Sequence, residues 1–333
     1  MNKSAGSRQR TFQLLRILLA AGILGWLLSR LPLRSLQGVL LDGLRQWPWW
    51  LAGLACTFFG LLAGCIRWHV ILRTQHFTLS FATVFRLFFI GQFFNSFLPG
   101  GCGGDVARAW YAARLCQREK TRAATTVLVD RAIGLLVTLF FGALMIPAHA
   151  HLIFSHPVTC AGGAMMLACA LSAVPLLLLA LRRNLFQAYP FFQRLENSRL
   201  GPVLRKMYEV AYYYRTHPGV LLICIALSLL NLSLLTLACC CFAESLLIPL
   251  PCSVCFLFFP MITVLTAIPV TPGALGVREG LFAELFKTIG IATYRTIPLS
   301  LLVYCGGLLW SLFGGVLYVM QPRRDRLALQ PND

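Results

Sequence analysis

Residues 97–105 read FLPGGCGGD, and residues 271–279 read TPGALGVRE. Each stretch holds Pro-Gly-x-x-Gly followed by an acid two or three residues later. Each follows an apolar run (Phe81–Leu98; Val254–Ile268) and leads into a helix-like segment, ARAWYAARL or GLFAELF. Pro99 and Pro272 are 173 residues apart, about half the chain. Glycines this dense suit either a phosphate-cradling loop or a helix broken inside a bilayer. The Walker form of the first requires Gly-Lys-Ser/Thr at its end, and GGCGGD has none.

The composition favours the second. The chain is 58% apolar and 12% charged, against about 25% charged in soluble domains. Six apolar windows have the length a bilayer crossing needs, about 17–25 residues: Phe12–Leu31, Trp49–Leu72, Thr125–Pro147, Val158–Leu181, Gly219–Phe242 and Ile297–Met320. The first is longer than a signal-peptide core and lacks a small-residue cleavage site, so it reads as a retained helix. The expected architecture is therefore an all-α polytopic membrane protein. It has about six full spans plus two Gly/Pro-broken re-entrant hairpins, with eight spans as the alternative in which each break is an ordinary loop. The whole chain, 1–333, reads as one membrane domain. The half-repeats are 12–147 and 158–320, residues 182–217 form an amphipathic linker, and 321–333 form a tail.

Basic residues orient the spans, because cytoplasmic loops carry the Lys/Arg excess. Lys3, Arg8 and Arg10 precede the first span, five basic residues lie in 106–122, seven in 182–217 and three in 323–326, while 148–157 has none. This puts both termini in the cytoplasm, and the expected location is the inner membrane. Arg34 and Arg45 fit that pattern poorly, and loop 32–47 is expected to lie in the interface beside Trp47, Trp49 and Trp50. The two broken segments then enter from opposite faces. Matched breaks in two oppositely oriented halves are the sequence sign of an inverted repeat with a midplane site. Free N–H groups at a half-helix start favour an anion such as a lipid phosphate.

Charges at membrane depth mark function by default. Here these are Arg86, Asp105, Asp130, Arg131, Arg278, Glu279 and Glu284. Arg131 can reach Asp105 or a substrate phosphate, and its fork geometry suits phosphate. Neighbours on a helix diverge by about 100°, so Asp130 is not expected to pair with Arg131. Asp105–Arg131 and Arg278–Glu279 are either structural ion pairs or ligand-binding groups, and Asp105 is also a candidate proton carrier. Asn95 and Thr271 are expected to satisfy backbone groups freed at the breaks.

No catalytic constellation or nucleotide fingerprint is visible, and no cofactor is expected. The net charge of +18 belongs to orientation and anionic headgroups rather than to nucleic acid. Most of the thirteen cysteines sit in apolar runs as small apolar residues. Neither Cys252-x-x-Cys255 nor His149, His151 and His156 makes a complete metal set, so no metal is expected.

FFNSFLPGGCGGDVARAW, TTVLVDRAIGLL and IPVTPGALGVREGLFAELF together resemble the flippase-like membrane region of lysylphosphatidylglycerol synthases, a family that includes stand-alone UPF0104 membrane proteins. The resemblance covers roughly residues 12–320. It implies a role in moving lipid between leaflets. It does not imply lysyl transfer, which in full-length synthases belongs to a soluble C-terminal domain expected to be absent here. The residues implied by motif are Asn95, Pro99, Gly100, Gly104, Asp105, Arg108, Arg131, Pro272, Gly273, Gly276 and Glu279. Without the two prolines, and with Arg278 added from the residue reading, these form the expected substrate-binding set. The expected function is a flippase or lipid transporter for an anionic or lipid-linked substrate. The alternative is a membrane-embedded transferase or accessory subunit in phospholipid, hopanoid or polyprenyl-lipid synthesis. The expected partner is membrane lipid, with a homo-oligomer possible.

Overall fold

The computed structural model describes residues 45–97, 103–116, 119–180, 217–267, 274 and 276–320, together with 205, 208, 212 and 213. The expected span Phe12–Leu31, the tail, nearly all of the linker, and Pro99, Gly100, Thr271, Pro272 and Gly273 lie outside the described residues.

Every regular element described is a helix. In order they are α1 (Trp47–Thr74), α2 (Phe81–Phe97), α3 (Gly103–Leu115), α4 (Lys120–Ala148), α5 (Ala150–Ser155), α6 (Pro157–Ala180), α7 (Pro218–Ser245), α8 (Cys252–Thr266), α9 (Val277–Lys287) and α10 (Thr293–Val319). Five of them, α1, α4, α6 over Pro157–Pro175, α7 and α10, are long and apolar enough to cross a membrane. They coincide with five of the six expected spans. Their outer faces expose Leu51, Leu144, Leu171, Leu222 and Val316. A soluble protein would bury so extensive an apolar surface, whereas lipid accepts it. Trp47, Trp49 and Trp50 are exposed on the first turns of α1, where an aromatic belt is expected.

Helix lengths identify the breaks. At 1.5 Å per residue, the 17 residues of α2 stand at the lower limit of a crossing and the 15 of α8 below it, reaching about 26 and 22 Å against a hydrocarbon core of about 30 Å. Each ends at a Gly/Pro-rich stretch and is followed by a short helix, α3 or α9.

The order of elements repeats. Helices α1, α2, α3 and α4 begin at 47, 81, 103 and 120, and α7, α8, α9 and α10 begin at 218, 252, 277 and 293. The offset is 171 residues from Trp47 to Pro218 and 173 from Lys120 to Thr293. Even the turns match: His76 (φ 61°) and Leu247 (φ 53°) both adopt the left-handed conformation just after α1 and α7. Packing follows the same exchange. Helix α2 lies on α10 as α8 lies on α4, and α3 lies on α4 as α9 lies on α10.

Helices α1 and α7 form the most extensive interface, and they run antiparallel. Gly53 abuts Phe242, and Gly60 abuts Leu235. The Asn231 side chain donates to the Gly60 carbonyl at 2.6 Å, Arg67 reaches Ser228, and Ile71 packs with Cys224. Positions rise along one helix as they fall along the other, as an inverted repeat requires. Glycine permits the closeness, because a Cβ at Gly53 would lie 2.5 Å from the Phe242 ring.

Candidate functional site

The helices on either side of the first break meet through their backbones. Helix α3 starts so near α2 that a Cβ on Gly104 would fall on the Gly91 carbonyl oxygen. Asn95 of α2 accepts the Gly104 N–H through Oδ1 at 2.8 Å, satisfying one of the free donors at the start of α3. That is the task expected of Asn95.

This start delivers Asp105 and, one turn later, Arg108 to the face of α4. Arg131 of α4 donates from Nε to Asp105 Oδ2 at 2.6 Å, so the expected pair forms. The pair is uneven: the Arg131 side chain is 50% exposed and that of Asp105 only 12%. Arg108 is buried, its guanidinium stacked 4.2 Å from the Trp68 ring centroid and 4.7 Å from that of Phe88. Nη1 of Arg108 lies 3.5 Å from Asp105 Oδ1, and Nη2 lies 3.3 Å from Asp130 Oδ2.

Asp130, counted among the charges at membrane depth but left out of the expected binding set, is the hub. It is 2% exposed and accepts Arg67 Nε of α1 at 2.7 Å on its other oxygen. Arg67 Nη1 continues to Ser228 Oγ of α7 at 2.7 Å, and Ser228 donates to the Cys224 carbonyl. Gly134 makes room for this arginine, since a Cβ there would meet Nη1 at 3.0 Å. Beside it the Trp68 indole N–H donates to Thr126 Oγ1 at 3.2 Å. The cluster thus ties α1, α3, α4 and α7 together. Among the described residues it holds three guanidinium groups against two carboxylates, one more positive charge than negative. Charges buried in pairs tolerate low dielectric only with such partners. A lone arginine in the apolar run LLAGCIRWHVIL was the available signal for Arg67.

The second break is built differently. Gly276 stands at φ 83° before α9, a backbone region suited to glycine. Glu279, fully buried, accepts the Gly276 N–H at 2.6 Å. This is the reciprocal half of a capping box. Its other oxygen takes Arg278 Nη2 at 2.7 Å and the Ser300 hydroxyl at 3.2 Å. Arg278 also donates to Ser300 from Nε and lies over the Tyr304 ring at 4.7 Å.

The expected site residues therefore fall into two groups. Asn95, Gly104, Asp105, Arg108 and Arg131 meet at the first break; Gly276, Arg278 and Glu279 meet at the second. Among the described residues, no hydrogen bond, ion pair or ring contact joins one group to the other. Arg86 and Glu284 are exposed on α2 and α9, outside both groups. The described residues hold no cluster of three metal-ligating side chains.

The family model for the lysylphosphatidylglycerol synthase TM region matches residues 13–314, which includes both breaks and all ten described helices up to the last turns of α10. The chain belongs to this family. It is a multi-pass, lipid-related membrane domain. A UPF0104 membrane protein of Methanocaldococcus jannaschii is 33% identical over 81 residues, 24% of this chain and 24% of the relative's own length. The aligned stretch thus spans about a quarter of that relative. No solved structure matches.

Proposed function

We propose that this chain moves a lipid with an anionic phosphate headgroup between the leaflets of the inner membrane, with both termini in the cytoplasm. The observation that carries the reading is Arg131. Its half-exposed guanidinium sits at the edge of a buried cluster that has one more positive charge than negative. A cation of this kind at a broken helix binds phosphate, because arginine stays charged and presents paired donors. The family's association with a synthase of lysylphosphatidylglycerol supports a phospholipid as cargo. The tails would remain in lipid along the exposed apolar faces. No ATP-binding motif is visible in the sequence, which supports facilitated or ion-coupled movement.

The test is reconstitution in liposomes carrying fluorescent phosphatidylglycerol, with flipping read by quenching from outside. Wild-type protein should equilibrate the label. Arg131→Ala should abolish flipping while the protein remains monodisperse in detergent. Flipping that survives Arg131→Ala would remove the phosphate from this site. Product formed from a donor lipid, without flipping, would instead favour a membrane-embedded transferase.

A further inference from the structure

Resting on that reading, we propose that Asp105 and the substrate phosphate take turns on Arg131: the phosphate displaces the carboxylate, which closes onto Arg108. Asp105 thereby acts as a built-in competitor, keeping Arg131 from holding any passing anion and setting how tightly the substrate binds.

The argument begins with the uneven grip on Asp105. Its Oδ2 is held by Arg131 at 2.6 Å. Its Oδ1 faces Arg108 Nη1 at 3.5 Å and, among the described residues, has no hydrogen-bond partner. Arg108 Nε, also buried, has none either. Unmet buried groups on a carboxylate and a guanidinium are costly, and here they belong to two residues one helical turn apart on α3. A rotation of the Asp105 side chain toward Arg108 converts the long contact into charge-assisted hydrogen bonds.

The two arginines differ in what can reach them. Arg131 is 50% exposed, and the Arg108 side chain is 4% exposed. A headgroup phosphate has access to the first only. Arg108 is also fixed in place. It is stacked between Trp68 and Phe88, tied to Asp130 and seated over Gly91, where a Cβ would lie 2.5 Å from its Cγ. It is therefore a stationary partner onto which Asp105 can move. The charge sum fits a phosphodiester monoanion: Arg67, Arg108 and Arg131 against Asp105 and Asp130 leave one positive charge, and one phosphodiester cancels it. A phosphate without the exchange would confront Asp105 directly, a like-charge contact.

The experiment measures Kd of the detergent-purified full chain for dioctanoyl phosphatidylglycerol and, separately, for inorganic phosphate. Asp105→Asn should bind the lipid probe about tenfold tighter or more, the scale of one charge-assisted hydrogen bond removed from competition. Asp105→Ser, which keeps a hydroxyl in the first helical turn, should show the same direction. Adding Arg131→Ala to either variant should erase the gain. Equal gains for inorganic phosphate would support the exchange and make the free ion the competitor rather than the lipid. Weaker or unchanged binding in the folded Asn and Ser variants, with normal wild-type binding, overturns the exchange and leaves the lipid reading standing. Failure of wild type and both variants to bind either probe overturns the lipid reading along with it.

Discussion

The two breaks occupy equivalent places in the repeat yet hold their acids in opposite ways. Glu279 is satisfied within its own half, by the Gly276 N–H, its neighbour Arg278 and Ser300 of α10, and it is fully buried. Asp105 leans on an arginine of α4 that is half exposed, and, among the described residues, one of its oxygens lacks a hydrogen bond. A carboxylate that caps and pairs locally stabilises a turn. One that holds an accessible cation can be displaced. On the proposed exchange, the same fold position serves structure in one half and ligand binding in the other.

The comparison can be broken at its strongest point first. Asp130→Ala should be the most damaging change, because it leaves Arg67 and Arg108 buried without their shared counter-ion. A loss of about 3–5 kcal/mol is expected, visible as a collapse of the denaturation midpoint in mixed micelles. Glu279→Gln should cost about 1.5–3 kcal/mol by weakening charge-assisted hydrogen bonds, with flipping lost only as far as folded protein is lost. Arg131→Ala should show the reverse, a stability change below about 1 kcal/mol, since exposed ion pairs contribute little, with transport abolished. If Glu279→Gln stopped transport at full stability, the division between the halves would fail. The glycines give a finer contrast. Gly104→Ala should destabilise by about 1–3 kcal/mol through overpacking against Gly91. Gly280, at which a Cβ would meet nothing within 4 Å, should tolerate Ala and gain about 0.5–1 kcal/mol.

Much of this was legible in the sequence. Apolar run length located α1, α4, α6, α7 and α10, because a bilayer imposes one length on every span. The Gly/Pro stretches marked both breaks, and the Asp105–Arg131 and Arg278–Glu279 pairs followed from there being few charges to match. The hub escaped for a physical reason. Arg67, Asp130 and Ser228 lie on three separate helices, and nothing local in their spacing records that they meet. The 100° step of a helix separated Asp130 from Arg131 as expected, but which partners Asp130 meets is set by the packing of other helices. Nor does spacing along the chain say whether Arg131 and Arg278, placed in one expected set, lie together, since that depends on tertiary placement. In the structure α3 rests on α2 and α4, while α9 rests on α10.

The antiparallel register of α1 and α7 separates structural equivalence from chemical interchangeability. Arg73 and Glu244 stand at the same place in their halves, both near the end of the long helix and three residues before the left-handed turn. One is a cation and the other an anion, and the antiparallel packing of α1 and α7 puts these two helix ends at opposite ends of the pair. Exchanging these two residues would leave every helix boundary where it is and reverse the charge carried at both ends. The repeat is accordingly written in where helices begin and bend, and not in the charge that each helix end carries.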